Sequence, residues 1–596
     1  MKPETPAFLN VERSVTGRRW VDRLDPAAAR MAQAIGQQTE LSEILARVIA
    51  ARGVAVEDAE DFINPTLRTL MPDPSTLVDM DVLAQRLADA IENSEKIGLF
   101  GDYDVDGACS AALMLRYLRA FGLDPACHIP DRIFEGYGPN DAAMDSLIEQ
   151  GCTLIVTLDC GTTSLGPIAH AKGRGADVLV IDHHLAAGEH PAADALVNPN
   201  RPDDISGLGY LCAAGVAFMT LVAVNRVLRE RGRTGLPDLM ALLDLVALAT
   251  VCDVVPLTGL NRAFVARGLD VIRAGGNVGL TSLAIGARVS GPVGPYHLGY
   301  ILGPRINAGG RIGNAGMGAA LLSTTDEHEA LAIAAKLDEL NAERQRIEIE
   351  AVEQAVATAD MEIGDGEGPS VLVTGSPQWH PGIVGLVAAR LRERFGRPAF
   401  AIALAPDGGG TGSGRSMPGV DLGAAVIAAV AEGVIGKGGG HAMAAGITLA
   451  PGQMGPFRAF IDERLRAAVT AARVRTALRL DAALTARGAT PDFVRDIERA
   501  GPFGAGNPTP VFAFPSHAVR FAEIMGAGGH VRLSLSSGDG ANLKGIAFRA
   551  AGTPLGDALL KARDGQRLHL CGTLNIDHWQ GRETVQLRVS DAAVPG

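Results

Sequence analysis

The sequence predicts an α/β protein with a doubly wound parallel-sheet domain, a long connecting helix, a second, smaller α/β domain and a C-terminal antiparallel β domain. Three features predict this fold class: apolar runs alternating with helical stretches, one long helical pattern near the middle, and short alternating strands at the end. Apolar runs without period-two alternation are typical of parallel strands covered on both faces. Their βαβ order predicts a doubly wound sheet.

The elements follow from these patterns in chain order. Apolar runs predict parallel strands and helical patterns lie between them, at 96–101, 108–121, 153–158, 164–172 and 177–181. Residues 326–360 contain no Gly or Pro and predict one helix, about 50 Å long at 1.5 Å per residue. We expect its charged middle, 338–350, to be exposed to solvent. A second α/β pattern follows at 370–373, 382–395 and 400–404.

The last part of the chain predicts a small antiparallel barrel or sandwich. Its alternating runs lie at 531–536, 543–548, 567–576 and 584–590. A chain of 596 residues is expected to hold about three or four domains. We expect an N-terminal entry segment at 1–75, the first α/β domain at 76–325, the connecting helix at 326–362, the second α/β domain at 363–472 and the C-terminal β domain at 473–596.

The composition of the chain excludes some classes of protein. The net charge of −13 argues against a protein that coats nucleic acid through its overall charge, but it allows a local basic channel. Seven cysteines without a C-x-x-C pair predict reduced thiols. The N-terminus lacks an apolar leader, and no apolar run is long enough to span a bilayer. We therefore expect a cytoplasmic protein with no membrane partner.

Acidic residues follow each of the first three predicted strands. These residues are Asp102, Asp104 and Asp106 after the first strand, Asp159 after the second, and Asp182, His183 and His184 after the third. The carboxyl ends of parallel strands meet in one crevice. So many carboxylates share a site only when they are protonated or held by cations. One Asp pair alone is usually a turn or a helix cap, but coincidence at three strand ends predicts a metal site, with Asp253 as a further contributor.

Such a site predicts a phosphoesterase. Two divalent cations about 3.5–4 Å apart can generate hydroxide near neutral pH and stabilise an in-line phosphoryl displacement. Asp159, alone on its turn, is the natural bridge between the two ions. Mixed imidazole and carboxylate ligands suit Mn²⁺, whereas mainly carboxylate ligands suit Mg²⁺. We expect either metal, with two ions per site.

The motifs, taken together, resemble those of a known superfamily. They are GDYDVDG at 101–107, DCG at 159–161, DHH at 182–184, DVVPL at 253–257, GPRINAGGR at 303–311, SGRS at 413–416, GGGHAMAAG at 438–446 and PFGAGNP at 502–508. Their order and spacing resemble the DHH phosphoesterase superfamily, and within it the RecJ-type branch. The resemblance implies a DHH domain, a DHHA1 domain and a C-terminal OB-fold. It also implies a metal-dependent exonuclease that degrades single-stranded DNA in the 5′→3′ direction during recombination and repair.

The resemblance also implies roles for the acidic cluster. Asp104 serves one metal, Asp106 the other, and Asp159 bridges them. His183 and Asp253 complete the shell of the second metal, while His184 contacts the scissile phosphate or the attacking water. Many DHH proteins carry a metal-binding histidine where this chain has Phe100. The first metal site is therefore expected to be weak, with Asp102 or water in place of the histidine.

Substrate contacts are expected downstream. A guanidinium group can bind a phosphate through two hydrogen bonds. Arg305 and Arg415 are therefore candidate catalytic contacts, and Arg311 is a further candidate phosphate ligand. An isolated arginine, however, is more often an ordinary surface residue. The glycine-rich loop can bring backbone N–H groups against a phosphate, although it equally suits a plain tight turn. The other candidate substrate contacts are Asn307, His380, Ser413, Ser416, Gly439, Gly440 and His441.

Aromatic residues recur through the C-terminal region, at Phe503, Phe512, Phe514, Phe521, Phe548 and Trp579. On an OB-fold, such rings can stack on bases. We expect most of them to fill the barrel core.

Two alternative functions remain at this point: a DHH phosphodiesterase for short oligonucleotides or cyclic dinucleotides, and a non-catalytic DHH scaffold. The C-terminal β region favours long substrates over short ones, and the complete set of acids argues against a scaffold. The resemblance implies single-stranded DNA, a single-strand-binding protein and a RecQ-type helicase as partners of a monomeric enzyme.

Overall fold

The computed structural model describes residues 6–132, 134–185, 188–364, 366–474, 477–526, 528–579 and 582–596, without the side chains of residues 474, 578, 579 and 582. The chain forms two compact units. The central unit contains Pro72–Val255 and Phe264–Arg475. The terminal unit contains Met1–Met71, Pro256–Ala263 and Thr476–Gly596.

The strands in the described part of the chain are β1 Arg19–Asp22, β2 Ile97–Gly101, β3 Ala126–His128, β4 Leu154–Leu158, β5 Asp177–Ile181, β6 Ala195–Val197, β7 Leu372–Ser376, β8 Ala399–Leu404, β9 Gly410–Arg415, β10 Lys437–His441, β11 Ala444–Leu449, β12 Ala477–Leu480, β13 Ala482–Ala483, β14 Phe512–Met525, β15 His530–Ser536, β16 Asn542–Ala547, β17 Arg567–Trp579 and β18 Arg582–Ala593.

The α-helices are α1 Pro26–Gln38, α2 Glu43–Ala50, α3 Ala59–Ile63, α4 Leu67–Leu70, α5 Met80–Glu92, α6 Val105–Arg119, α7 Asp141–Glu149, α8 Leu165–Gly173, α9 Ala213–Glu230, α10 Leu243–Cys252, α11 Gly259–Arg273, α12 Val278–Gly286, α13 Pro295–His297, α14 Gly303–Ile312, α15 Met317–Ser323, α16 Glu327–Ile363, α17 Val384–Phe395, α18 Leu422–Ala431, α19 Met454–Val474, α20 Pro491–Glu498 and α21 Pro554–Lys561. Short 3₁₀ turns lie at Phe8–Asn10, Pro74–Thr76 and Leu239–Leu242, and a π-helical turn spans Leu298–Leu302. Among the described residues, no helix combines the length and apolarity needed to cross a membrane.

The first sheet of the central unit is the predicted parallel sheet. Its order is β3-β2-β4-β5-β6 and every pair is parallel. Strands β2 and β4 are buried throughout, as expected for strands covered on both faces. The chain reverses its winding direction between β2 and β4, which is where open α/β sheets place their ligands. The doubly wound fold is therefore confirmed.

The long helix is also confirmed, but its middle is not fully exposed. Helix α16 runs for 37 residues, about 55 Å. Its side chains Asn341, Arg344 and Glu348 are buried, and Arg344 forms an ion pair with Glu348 and donates to Asn341. The prediction that this charged segment is exposed was therefore wrong for one side of the helix, because α14 and α17 pack against α16 and bury that side.

The second sheet of the central unit is mixed, in the order β10-β11-β9-β8-β7. Only β7 and β8 are parallel among its described strands. Glycines fill much of β9 and β10, and strands without side chains let another backbone or a ligand approach closely. The predicted smaller α/β domain is present.

The terminal unit contains a closed barrel. Its strands follow the order β14-β15-β16-β18-β17, and β17 pairs back with β14. Of the two predicted forms, barrel or sandwich, the structure therefore shows the barrel. Among its described strands, β16 and β18 are the one parallel pair in the closed ring. Strand β1 pairs with β12, and the buried Trp20 Nε1 donates to Asp591 Oδ2 over 3.0 Å. Sequence patterns do not reveal this N-terminal strand, because its partner lies more than 450 residues away.

Close packing at the start of α6 sets the position of the acidic loop after β2. Gly107 lies in the first turn of α6, and a β-carbon there would collide with the backbone of Asp102. The helix can approach the end of β2 only because this residue has no side chain. The close approach brings Asp102, which follows β2, and Asp106, in the first turn of α6, to the same edge of the sheet.

We predict that Gly107→Ala lowers the free energy of unfolding by about 1–3 kcal/mol, because the new methyl group meets backbone atoms that cannot move aside. Gly166→Ala is the matched control, since it lies in helix α8 and a β-carbon there would have no atom within 4 Å. It should be neutral or slightly stabilising. Urea unfolding of both variants checks this, and equal stabilities for the two would contradict the packing constraint.

Candidate active site

The acidic side chains converge at the carboxyl edge of the parallel sheet. Asp102 follows β2 directly, and Asp104 caps helix α6, its Oδ1 accepting from the N–H groups of Asp106 and Gly107 at 2.9 and 3.1 Å. Asp106 is fully buried. Both its oxygens accept hydrogen bonds from the first residues of α9, Ala213 and Ala214, so the positive end of that helix fixes its orientation.

In the described part of the chain, three groups of ligand atoms lie close enough together to hold metal ions, each with atoms within 4.8 Å of one another. The groups are Asp102, Asp104 and Asp159; Asp106, His183 and Asp253; and Asp159, His183 and His184. Asp159 belongs to two of the three. The structure therefore brings together every residue that was predicted to bind metal, with Asp159 between the two sets of carboxylates.

Asp159 is held in an unusual backbone conformation. Its φ of 63° lies in the left-handed region, which costs a non-glycine residue about 1 kcal/mol or more. Its N–H donates to the carbonyl of Ile181 on the neighbouring strand, over 2.9 Å. Its buried Oδ1 has no hydrogen-bond donor among the described residues. Backbone strain and an unpartnered buried oxygen at one residue are typical of a functional site.

The His183 ring directs its Nε2 atom at the same carboxylates. Its Nδ1 lies 3.1 Å from the carbonyl oxygen of Leu211, which can only accept, so Nδ1 carries the hydrogen. The Nε2 atom of the same ring lies 3.2 Å from Asp159 Oδ1 and 3.7 Å from oxygens of Asp106 and Asp253. A carbonyl partner on the far nitrogen is the usual arrangement of a metal-ligating histidine.

Electrostatics show that a cation suits this cluster. Burial, followed by repulsion from neighbouring carboxylates, raises the pKa of Asp102 and Asp159 well above the ordinary value. The same two causes raise the pKa of Asp253 to about 9. Buried Asp102 Oδ1, like Asp159 Oδ1, has no donor among the described residues. Oxygen-rich ligands with one or two imidazoles fit Mn²⁺ or Mg²⁺, so the residues present fit these ions.

His184 occupies a different environment from His183. Its Nδ1 lies 2.8 Å from Asp182 Oδ1 and 3.1 Å from the Tyr137 hydroxyl. Burial opposes the charged form, but the hydrogen bond and charge of Asp182 raise the pKa of His184 to about 9. Asp182 also accepts from the N–H groups of Thr162 and His183. It therefore acts as a support for the two histidines.

The position of Phe100 changes the expectation about the first metal. Its ring is fully buried and stacks on His128 at a centroid distance of 5.4 Å, inside a core formed with helices α7 and α8. Asp102, two residues later, lies in the cluster instead. Asp102 is therefore the candidate for the ligand that an imidazole at position 100 would have given.

A cavity of about 650 Å³ adjoins this cluster. Its walls come from the loops after β2 and β3, from the start of α17 and from the glycine-rich strands of the second sheet. The lining residues include Tyr103, Arg132, Tyr137, Ser413, Lys437 and Gly439. Burial and the nearby guanidinium groups lower the pKa of Arg311 to about 10 and also lower that of Arg415. The charge of Arg132 lowers the pKa of both Arg311 and Arg415, whereas the charge of Asp104 raises the pKa of Arg311. Positive charge therefore gathers between the carboxylates and the second sheet.

The contacts of the predicted phosphate ligands differ from one another. Arg415 donates to Ser413 Oγ over 2.8 Å, and Arg311 donates to the carbonyl of Gly382 over 3.0 Å. His380 Nδ1 accepts from the N–H of Gly382. Asn307 is half-buried on α14.

Four of the predicted contacts have intramolecular partners or lie away from the cavity lining. Arg305 is paired with Asp338 at 2.8 Å and donates to the carbonyl of Ile301, so α16 holds its guanidinium. Ser416 is buried and donates to the carbonyl of Val420. Gly440 and the exposed His441 lie at the end of β10 and do not line the cavity, unlike Gly438 and Gly439. Sequence spacing could not reveal these intramolecular partners.

Two cavity residues were missed by the sequence analysis. Arg132 lies over the Tyr103 ring, 5.0 Å from its centroid, and the Tyr137 hydroxyl contacts His184. The available signal was the pair of glycines around Tyr137, since Gly136 and Gly138 both have positive φ and place that ring on a tight turn. The short strand β3, which precedes the turn, has no apolar run that would mark it as part of the sheet.

Models of three domain families match the chain. The N-terminal domain of the DHH family matches residues 96–250, the DHHA1 domain matches 368–467, and the RecJ OB domain matches 480–591. The three matches follow the parallel sheet, the mixed sheet and the barrel in order.

Relatives extend this match over almost the whole chain. The single-stranded-DNA-specific exonuclease RecJ of Salmonella typhimurium is 34% identical over 565 residues, which cover 93% of this chain and 96% of that protein. The Escherichia coli protein of the same name is 33% identical over the same shares. The crystal structure of RecJ from Thermus thermophilus in complex with Mn²⁺ gives a TM-score of 0.77 at 29% identity, covering 97% of this chain and 79% of that one. On this evidence the chain belongs to the RecJ family.

Proposed function

We propose that this chain is a metal-dependent exonuclease that hydrolyses single-stranded DNA in the 5′→3′ direction, in recombination and repair. The observation that carries the proposal is the cluster of five carboxylates and two imidazoles beside a cavity lined by Arg132 and Lys437. The family supports the substrate, because its named members are single-stranded-DNA-specific exonucleases.

The proposed metal ligands follow the two groups of carboxylates. Asp102, Asp104 and Asp159 would hold one ion, while Asp106, His183, Asp253 and Asp159 would hold the other. When bound there, two such ions supply a hydroxide at neutral pH and neutralise charge on the phosphate under attack. We infer that the all-carboxylate site is the weaker of the two, since it lacks an imidazole.

The chain's own residues orient the substrate. The His184 ring, fixed by Asp182 and Tyr137, is proposed to contact the scissile phosphate or the water. Arg311 and Arg415, together with Arg132, are proposed to bind a terminal phosphate. A terminal phosphate carries about −1.5 to −2 charges, so it gains more from three guanidinium groups than an internal phosphodiester does. This favours attack at a strand end.

The barrel supplies a second proposed contact with the strand. Phe512 and Phe514 are buried in its core, as expected, but Phe521 and Phe548 are exposed. The side chain of Trp579 lies outside the described residues. Arg532 lies over Phe521 and Arg588 over Phe548, at 5.6 and 5.7 Å from the ring centroids. A ring beside a guanidinium can stack a base and neutralise the adjacent phosphate.

Other parts of the proposal rest on the family alone. We propose that the enzyme is a cytoplasmic monomer that works with a single-strand-binding protein and a RecQ-type helicase. Sedimentation of the purified chain tests the monomer. We also propose the domain limits 1–75, 76–325, 326–362, 363–472 and 473–596, which limited proteolysis tests.

One digestion experiment separates the exonuclease from its alternatives. Oligonucleotides of several lengths, labelled at the 5′ or the 3′ end, are incubated with Mn²⁺, Mg²⁺ or EDTA. The proposal expects early release of the 5′ label from long strands with metal only. Activity confined to dinucleotides or cyclic dinucleotides would favour the short-substrate phosphodiesterase, and no hydrolysis with either metal would favour the scaffold.

We predict that Asp159→Asn lowers hydrolysis by roughly 10³-fold or more, because an amide cannot bridge two cations and the loss of several kcal/mol of transition-state stabilisation has that effect. The fold should remain, since Oδ1 has no donor to lose among the described residues. Asp124→Asn is the matched control, because Asp124 is exposed on the loop before β3. Initial rates and circular dichroism are compared, and a folded Asp159→Asn protein with more than a few per cent of activity would exclude the bridge.

We predict that Phe521→Ala and Phe548→Ala each weaken binding to long single strands by roughly 5- to 100-fold, which corresponds to about 1–3 kcal/mol per stacked base. Ile524→Ala is the control, since it is an exposed residue of β14 without a ring. Fluorescence anisotropy measures the affinities. If Phe521→Ala and Phe548→Ala bind long strands as tightly as Ile524→Ala does, the two barrel rings do not contact the strand.

Point variants are a sharper test than removal of the barrel. Truncation near residue 472 would also expose the core that α1 and α2 share with the barrel strands. A loss of affinity after truncation would therefore mix binding with unfolding of the N-terminal helices.

A further inference from the structure

Two tyrosines form an exposed aromatic surface that the metal cluster and the cavity do not use. Tyr296 and Tyr300 are 56% and 75% exposed. Their rings stack on each other, with centroids 5.3 Å apart and planes inclined by 23°. A self-stacked pair is held flat at little entropic cost, so it presents a rigid aromatic face to solvent.

The segment that carries the pair is fixed against the loop of a proposed metal ligand. A β-carbon on Gly299, between the two rings in sequence, would lie 3.3 Å from the side chain of Val251, and Cys252 Sγ contacts the carbonyl of Leu298 at 3.4 Å. Val251 and Cys252 end helix α10, immediately before Asp253. The tyrosine pair therefore lies on an element that packs directly against the edge of the metal cluster.

The sequence around the two tyrosines carries no negative charge, which favours binding of a negatively charged polymer. Residues 271–325 contain no Asp or Glu, although the chain has 67 such residues and a net charge of −13. The same 55 residues contain four arginines and one histidine. A segment without carboxylates adds no negative charge of its own that would repel a phosphate backbone, and every base offers a face for stacking. A nucleotide strand is therefore favoured over an acidic or purely apolar protein partner.

We propose that Tyr296 and Tyr300 form a stacking platform for a nucleobase of the substrate strand outside the cavity. The inference rests on the proposed function, because it assigns a place to nucleotides that follow the one being removed. A strand end held in the cavity leaves the rest of the polymer at the surface, and this platform lies beside the metal cluster that the strand must pass.

The first test measures strand affinity of the full chain in an Asp159→Asn background, where the strand stays intact, with Mn²⁺ present. Tyr296→Ala and Tyr300→Ala should each weaken binding of a 20-nucleotide strand by roughly 5- to 100-fold. The Phe variants at both positions should restore affinity to within about twofold, since phenylalanine keeps the ring. Ile285→Ala is the control: it is an exposed apolar residue of the same acid-free segment and should change nothing.

The second test identifies the base that stacks. A single abasic site is moved along the strand, and affinity is measured for wild-type and Ala rings. At one position near the 5′ end the abasic site should reproduce the loss caused by Tyr300→Ala, and the two changes together should cost no more than either alone. Additive losses at every position would overturn the platform, as would full affinity in both Ala variants.

Two further results would also contradict the proposal. Loss of affinity in the Phe variants would show that the hydroxyls matter and the rings do not. Concentration-dependent dimers of the wild-type chain that disappear in Tyr300→Ala would assign the surface to a second copy. Failure of the proposed function looks different, because the wild type would then bind and hydrolyse no single strand, whatever residues occupy positions 296 and 300.

Discussion

Repulsion between buried carboxylates at one edge of a sheet is the constraint on which this structure depends. Parallel strands β2, β4 and β5 end side by side, so the aspartates that follow them cannot avoid one another. Their raised pKa values follow from burial and from that crowding. Such a cluster lowers stability unless cations occupy it.

The surrounding structure holds the cluster against this repulsion. Asp106 is tied to the first N–H groups of α9. Asn198 donates to the carbonyl of His184, and Asn200 to the carbonyl of His183, so the backbone of both histidines is fixed. These supports are backbone and amide hydrogen bonds, which fix the directions in which the ligand side chains point. Pre-organisation of this kind is what a metal centre needs.

The sequence alone predicted the three central strands β2, β4 and β5, the parallel sheet and the acids at these strand ends. Buried parallel strands appear in a sequence as continuous apolar runs, and a strand end has a fixed place in the fold. The sequence did not predict the partners of long side chains. Arg305 pairs with Asp338, and the Ser416 hydroxyl donates to the carbonyl of Val420. Both contacts depend on segments that come together only when the chain folds. Arg132 was missed for the same reason, since nothing in its local sequence points to the cavity. Strand β1 needed a partner from the other end of the chain.

The most direct test of the account is the number of divalent ions that the cluster binds. Anomalous diffraction from crystals grown with Mn²⁺, supported by calorimetric titration, measures both the number and the position. The account predicts two ions per chain, with Asp159 in contact with both and His183 in contact with one. A single ion away from Asp159, or an intact cluster that binds none at millimolar Mn²⁺, would contradict it.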